Sequence, residues 1–218
     1  MDLSVAVYDL AGGGEWTSGE DRTYVTASVV KVAVLAALLL RARDSGRWLT
    51  AGEESLAEAM IERSDNEAAT ALRAAAGGVA GLDAAHARLG MARTSAAPAW
   101  GLTHTTARDQ LTLLKAVFAG ADPAAPAGLD DRSRLYLARL MGRVVPGQDW
   151  GVSAAATDGD WALKNGWLPR GDSGLWVIHS VGRVRDCLVA VLSDGHTTKD
   201  AGIARVEEAA VSAVHRFV

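Results

Sequence analysis

From residue 29 to residue 40 the chain reads VVKVAVLAALLL, and every position but one is Ala, Val or Leu. Ala and Leu favour the helix. A helix that is apolar all round has no face to give to water, so it belongs in an interior walled by other elements. Its longest uninterrupted apolar part, residues 32–40, is shorter than the roughly 20 residues that cross a bilayer. The wall is therefore expected to be protein, with no membrane insertion. A chain of 218 residues, 49% of them hydrophobic, is long enough to supply it. Lys31 is the anomaly, a cation inside the apolar run. Lysine is scarce here, at positions 31, 115, 164 and 199 only. A buried lysine, unlike an arginine, can give up its proton and serve as a base.

The rest of the chain supplies the walls. Leu3, Val5 and Val7 alternate with Ser4, Ala6 and Tyr8, which predicts a strand ending at Gly12-Gly13-Gly14, and residues 16–24 are expected to return as a second strand. Helices are expected over 28–43, 53–62, 66–76 and 82–89, the last two closed by Gly77-Gly78 and Gly90. Thr105 or Thr106 caps another that runs to Phe118, and Asp130 or Asp131 starts one reaching about Val144. Residues 119–128, rich in Ala and with Pro123 and Pro126, read as a surface loop. Residues 161–167, 175–181 and 187–193 then read as strands, with turns at 171–174 and 182–186, and 198–218 as a closing amphipathic helix.

Strands, helices, strands, helix is an α+β order. It predicts a five-stranded antiparallel sheet built from both chain ends, about 3–24 and 160–193. A helical region, about 28–145, is inserted between them, in one domain over 1–218.

Composition removes several function classes. A net charge of -4 gives no strongly basic surface for nucleic acid. The single cysteine, Cys187, forms no internal disulfide. The opening MDLSVAVYDL has no basic region and does not read as a secretory signal. The five histidines lack metal-ligand spacing, and the glycine runs lack a P-loop lysine, so neither metal nor nucleotide is implied.

Three short motifs carry chemistry. Ser28-Val29-Val30-Lys31 has the form S-x-x-K. At the start of a helix, residues three apart share a face. Burial disfavours the ammonium of Lys31 and moves it towards the range of a general base. The helix N-terminus favours negative charge developing at Ser28. Ser64-Asp65-Asn66 follows where the second helix ends. Its Ser64 hydroxyl can relay a proton, and its Asn66 carboxamide can hold a substrate carbonyl or orient a lysine. Lys164-Asn165-Gly166 lies inside a predicted strand, where all three residue types are depleted. Gly166 allows close approach to the backbone, and Lys164 can steer a carboxylate or assist proton transfer. As plain structure, the three would be a helix cap, a turn and an edge-strand bulge.

In this order S-x-x-K, S-D-N and K-N-G resemble the motif set of class A β-lactamases and penicillin-binding proteins. The contexts Thr26-Ala27-Ser28-Val29-Val30-Lys31-Val32 and Leu163-Lys164-Asn165-Gly166-Trp167 are similar to actinobacterial members of the class A-like group. The resemblance implies an α/β sandwich with its site between sheet and helical region. It also implies a serine acyl-enzyme hydrolase, without metal or organic cofactor. Ser28 would be the nucleophile and Lys31 its base. Ser64 would pass the proton to the leaving group, and Lys164 would line the carboxylate side. Asn66, Asn165 and Gly166 would bind substrate. The backbone N–H groups of Ser28 and Trp167 would form the oxyanion hole, and the Trp100 and Trp167 side chains would wall the pocket. Small amides or esters with a nearby carboxylate, including β-lactams or D-Ala-like peptides, would be the substrates. The resemblance points to an extracellular or cell-envelope setting.

One departure stands out. Class A enzymes carry a deacylating glutamate between the second and third motifs, and here no glutamate lies between Glu67 and Glu207. Residues 91–103 contain no carboxylate, and Asp109 is the first one after them, expected on the next helix and facing away. His104 sits where the missing glutamate would be. The expectation is an acyl-enzyme that forms and is not cleared by the class A route. Two other readings stay open: a non-catalytic cell-wall or ligand-binding module on the same fold, and a D-Ala-D-Ala-type transpeptidase or carboxypeptidase.

Overall fold

In the computed structural model, residues 2–19, 22–120, 128–156, 159–171 and 173–217 are described. Three long strands form the centre of the main sheet: β1 (Asp2–Asp9), β7 (Cys187–His196) and β6 (Trp176–Val184). β2 (Glu15–Ser18) closes one edge and β5 (Trp161–Pro169) the other, giving the order β2-β1-β7-β6-β5. Every pairing is antiparallel, and β1 runs against β7 from Asp2↔Asp194 to Asp9↔Cys187. The expected five-stranded α+β sheet made from both chain ends is what forms.

The strand period of two sorts side chains between two layers. On β7, Leu188, Ala190 and Leu192 join the core on the helical side, while Val189 and Val191 join the core under α7 (Lys199–Val214). On the helical side, α1 (Val30–Asp44) is buried at every residue from Val30 to Leu40. It runs among α2 (Ala51–Glu62), α3 (Asn66–Ala75), α4 (Gly78–Arg88) and α6 (Asp131–Met141). α5 (Ala107–Phe118) lies against the sheet. Among the described residues, no helix is long and apolar enough to cross a membrane.

Several boundaries differ from the sequence reading for local reasons. Residues 27–29 form a turn of 3₁₀ helix, so the α-helix starts at Val30 and not at 28. α2 starts early because Thr50 and Glu53 form a reciprocal capping box. Residues 16–24 do not make one strand. At Gly19 the backbone is left-handed, and a Cβ there would meet the Leu3 carbonyl at 2.9 Å. The chain turns away, and β3 (Tyr24–Val25) pairs instead with β4 (His104–Thr105) in a separate two-stranded sheet. Residues 121–127 of the expected loop and Asp172 of the expected turn lie outside the described residues.

Candidate active site

The apolar helix delivers its lysine to a corner made by three elements. Lys31 is fully buried. Its Nζ donates to the Ser64 carbonyl (2.6 Å), the Ser64 Oγ (3.1 Å) and the Asn66 Oδ1 (2.8 Å). Those are the three protons of an ammonium, each with an acceptor. Burial lowers the Lys31 pKa to about 8, against the opposing pull of Asp65. Lys164, on β5, is also fully buried, and its Nζ donates to the Ser64 Oγ (3.0 Å) and the Asn165 carbonyl (3.0 Å). Burial first and the Lys31 charge second hold its pKa well below the usual lysine range. One serine hydroxyl thus stands between two lysines that are both poor at keeping a proton.

The corner itself is bent to make this meeting. Ser64 adopts φ 57°, a left-handed backbone rare outside glycine. Asp65 then caps α3, its Oδ1 accepting from the Ala68 N–H at 2.7 Å, which sets Asn66 at the helix start. Ala27, one residue before Ser28, is likewise left-handed at φ 45°. Each such residue costs on the order of 1–3 kcal/mol, and the surrounding fold must offset it. Ser28 follows on the 3₁₀ turn, half-buried. Its partner across the site is Gly166. A Cβ on Gly166 would lie 2.9 Å from both the Ser28 and Val29 nitrogens and 3.0 Å from the Thr26 carbonyl. Only glycine lets the edge strand come this close. A further tie comes from His179 on β6. Its Nδ1 accepts from the Ser193 N–H (3.1 Å), which leaves the Nε2–H to donate to the Val25 carbonyl (2.8 Å). β3, just before the nucleophile turn, is pinned to the sheet in this way.

Lys31, Ser64, Asn66 and Lys164 therefore come together, and Gly166, two residues on from Lys164, brings the strand against the Ser28 backbone. Asn165 does not join them. Strand alternation turns it to the far side, where its Nδ2 donates to the Gln148 (2.9 Å) and Trp150 (2.8 Å) carbonyls. The Trp167 side chain is on that far side too, edge-on to Trp150 at 5.9 Å and beneath Lys199 Nζ at 4.3 Å. Its indole does not wall the pocket, and only its backbone lies along the site strand. Trp100 does reach the site, with Lys31 Nζ 4.9 Å from its ring centroid. Asp109 is buried in the first turn of α5. Its Oδ2 accepts from the Arg93 N–H (2.8 Å) and the Thr94 hydroxyl (2.6 Å), so it fastens the 93–94 turn. His104 is exposed on β4. Among the described residues no His, Cys, Asp and Glu cluster could hold a metal ion. A cleft of about 540 Å³ opens alongside, lined by Val25, Leu102, Leu168, Arg170, Gly171 and Ser173.

The model of the β-lactamase enzyme family matches residues 47–216. The chain belongs to that family. The match begins beyond Ser28 and Lys31, so the first motif rests on its own geometry. A search of curated proteins finds no match. Solved structures agree on the fold across nearly the whole chain. PBP-A, as a mutant in acyl-enzyme complex with penicillin G, superposes with a TM-score of 0.81 at 20% identity, over 99% of this chain and 90% of that one. The putative class A β-lactamase PenP from Rhodopseudomonas palustris gives 0.81 at 22% identity, over 99% and 94%. An ancestral class A β-lactamase (GNCA) gives 0.76 at 25% identity, over 99% and 94%. The protein is a class A β-lactamase-like serine hydrolase of the β-lactamase superfamily.

Two contributors escape sequence reasoning. Ala27 and Ser64 owe their left-handed backbones to tertiary packing, which no local pattern announces. The far-side placement of Asn165 and Trp167, by contrast, follows from period two once Gly166 is set against Ser28.

Proposed function

We propose that this chain is acylated at Ser28 by amides or esters that carry a nearby carboxylate, β-lactams among them, and that it releases the acyl group slowly. The observation that carries the reading is the Ser64 hydroxyl held between Lys31 and Lys164. As a free amine Lys31 has a lone pair, and it takes the Ser28 proton as Ser28 attacks the substrate carbonyl. As an ammonium it donates again to Ser64. With two lysines donating to Ser64 Oγ, both lone pairs of that oxygen are filled, and its own proton is aimed at the leaving nitrogen or oxygen. The backbone N–H groups of Ser28 and Trp167 stabilise the oxyanion, a contribution of about 3 kcal/mol per donor in such sites. Lys164 adds positive potential for the substrate carboxylate. Asn165 acts at one remove, by fastening the loop beneath the strand.

Slow release is supported by residues 91–103, which offer no carboxylate to activate a water. Asp109, the first one beyond them, is spent on Arg93 and Thr94. The acyl group then leaves by slow hydrolysis or by transfer to an amine.

Intact-mass spectrometry with a fluorescent penicillin tests the reading, with Ser28→Ala beside the wild type. A persistent adduct, absent in the variant, is the expected result. Rapid penicillin loss without an adduct would overturn slow release. No adduct with penicillins or simple esters would favour a non-catalytic binding module.

A further inference from the structure

Trp100 belongs to none of the three motifs, yet it is built into the site from two sides. It opens the short 3₁₀ turn Trp100–Leu102. Its Nε1–H donates to Thr70 Oγ1 at 3.2 Å, and Thr70 Oγ1 donates to the Asn66 carbonyl at 3.0 Å. Just ahead of it, the Pro98 carbonyl accepts from Arg73 Nη1 at 2.7 Å. These contacts fix the indole to α3, the helix that carries Asn66. On the other side the Trp100 carbonyl accepts from Thr26 Oγ1 at 3.5 Å, two residues before Ser28. The Thr26 N–H donates to the Thr103 carbonyl at 2.8 Å. The ring is thus held over Lys31 while the amine's three contacts point to Ser64 and Asn66.

We propose that Trp100 is a positioning residue for acylation, whose indole closes the solvent side of the Lys31 amine and keeps that amine usable as a base near neutral pH. The inference rests on the role given to Lys31 above. Two effects of the ring oppose one another. Its face attracts an ammonium, whereas its bulk excludes the water that would hydrate one. The charged groups facing Lys31 are Asp65, at the head of α3, which favours the ammonium, and Lys164 on β5, whose own pKa the Lys31 charge helps to hold down. Lys31 is fully buried with the indole over its amine, and burial is the leading cause of its lowered pKa.

The test reads the lysine directly. With only four lysines in the chain, ¹³C labelling at the ε-carbon gives a resolvable NMR titration, and Lys31→Met assigns the signal. Wild type is expected to titrate at about 8. Trp100→Phe, which keeps a ring, should stay near that value. Trp100→Ala should titrate about one unit higher, because water then reaches the ammonium. Its free-amine fraction at pH 7, and with it the rate of penicillin acylation, should fall about tenfold. At pH 10 the two acylation rates should converge, which a merely structural role would not produce. Thr70→Val, an exposed position that releases the indole from its anchor, should move the titration in the same direction by less. A Lys31 titration unmoved or lowered in both Trp100→Ala and Thr70→Val overturns the proposal. If Trp100→Ala does not fold, Thr70→Val decides by the same criterion. The titration needs no substrate. Wild type that titrates low but takes no acyl group at Ser28 would sink the functional reading and with it the link to acylation. The shift between wild type and Trp100→Ala would still decide whether the indole shields the Lys31 amine.

Discussion

Replacing Gly166 by alanine should separate assembly of the nucleophile from assembly of the lysines. The added Cβ would meet the Ser28 and Val29 nitrogens at 2.9 Å and the Thr26 carbonyl at 3.0 Å. Ordinary contacts of this kind begin near 3.4 Å, so something must yield by about half an ångström. All three neighbours are backbone atoms, and none can swing aside as a side-chain tip would. The edge strand β5 must retreat from the turn that carries Ser28. Overpacking of this sort costs about 1–3 kcal/mol. For a chain of this size that corresponds to a melting temperature lower by roughly 2–10 °C. Ser28 and the oxyanion strand lose register with each other, and misplacement on this scale is expected to slow acylation by about tenfold or more. Lys164 and Ser64 keep their contact, because Lys164 lies two residues before the clash. The assay is a time course of penicillin adduct by intact mass, paired with thermal melting by circular dichroism. Gly171→Ala is the control, since nothing lies within 4 Å of a Cβ there. Wild-type acylation and melting in Gly166→Ala would show that the close approach has been misread.

Lys31 titrates lower in the folded chain than its ordinary 10.5. The unfolded chain therefore binds more protons between about pH 8 and 10.5, and the Lys31 contribution to stability rises with pH across that window. The full shift corresponds to about 3 kcal/mol of strain on the ammonium at pH 7. Lys31→Met should relieve part of it, raising the melting temperature at pH 7 by a few degrees, flattening the alkaline rise and abolishing acylation; a variant that melts lower at pH 7 would refute the account. Asn165→Ala removes both donors to the Gln148 and Trp150 carbonyls. A stability loss of about 1–3 kcal/mol in urea denaturation is expected, with a milder effect on acylation than Lys164→Ala. A weaker substrate dependence without loss of stability would return Asn165 to the substrate side.

Much of this site was legible because its residues violate their surroundings. A lysine in an all-apolar helix and a Lys-Asn-Gly run in a strand both stand out against propensity, and Lys31, Ser64 and Lys164 do meet. The sheet was legible from alternation in Leu3, Val5 and Val7 and from the three late strands. Its weakest point was residues 16–24, where Gly19 breaks the pairing and sends Tyr24 and Val25 to a different partner. Trp100 was visible as a candidate wall, but its seat over Lys31 was not. Loop residues 96–103 have no periodicity to orient them, and the anchors to Thr70 and Thr26 are long-range. The left-handed Ala27 and Ser64 were hidden for a similar reason, since neither residue type asks for that backbone.

The pairing of β1 with β7 matters for a chain still being made. Val5 meets Val191, and Gly166 closes on Ser28, across most of the polypeptide. Contacts this distant form late and slowly. An emerging chain exposes α1, greasy on every side, well before β5 can close on the Ser28 turn. Such a species is prone to aggregate and suited to a chaperone. It also carries its serine and first lysine without the strand that completes them. A ribosome-bound chain halted before residue 161 would hold two of the three motifs and have no acylating centre.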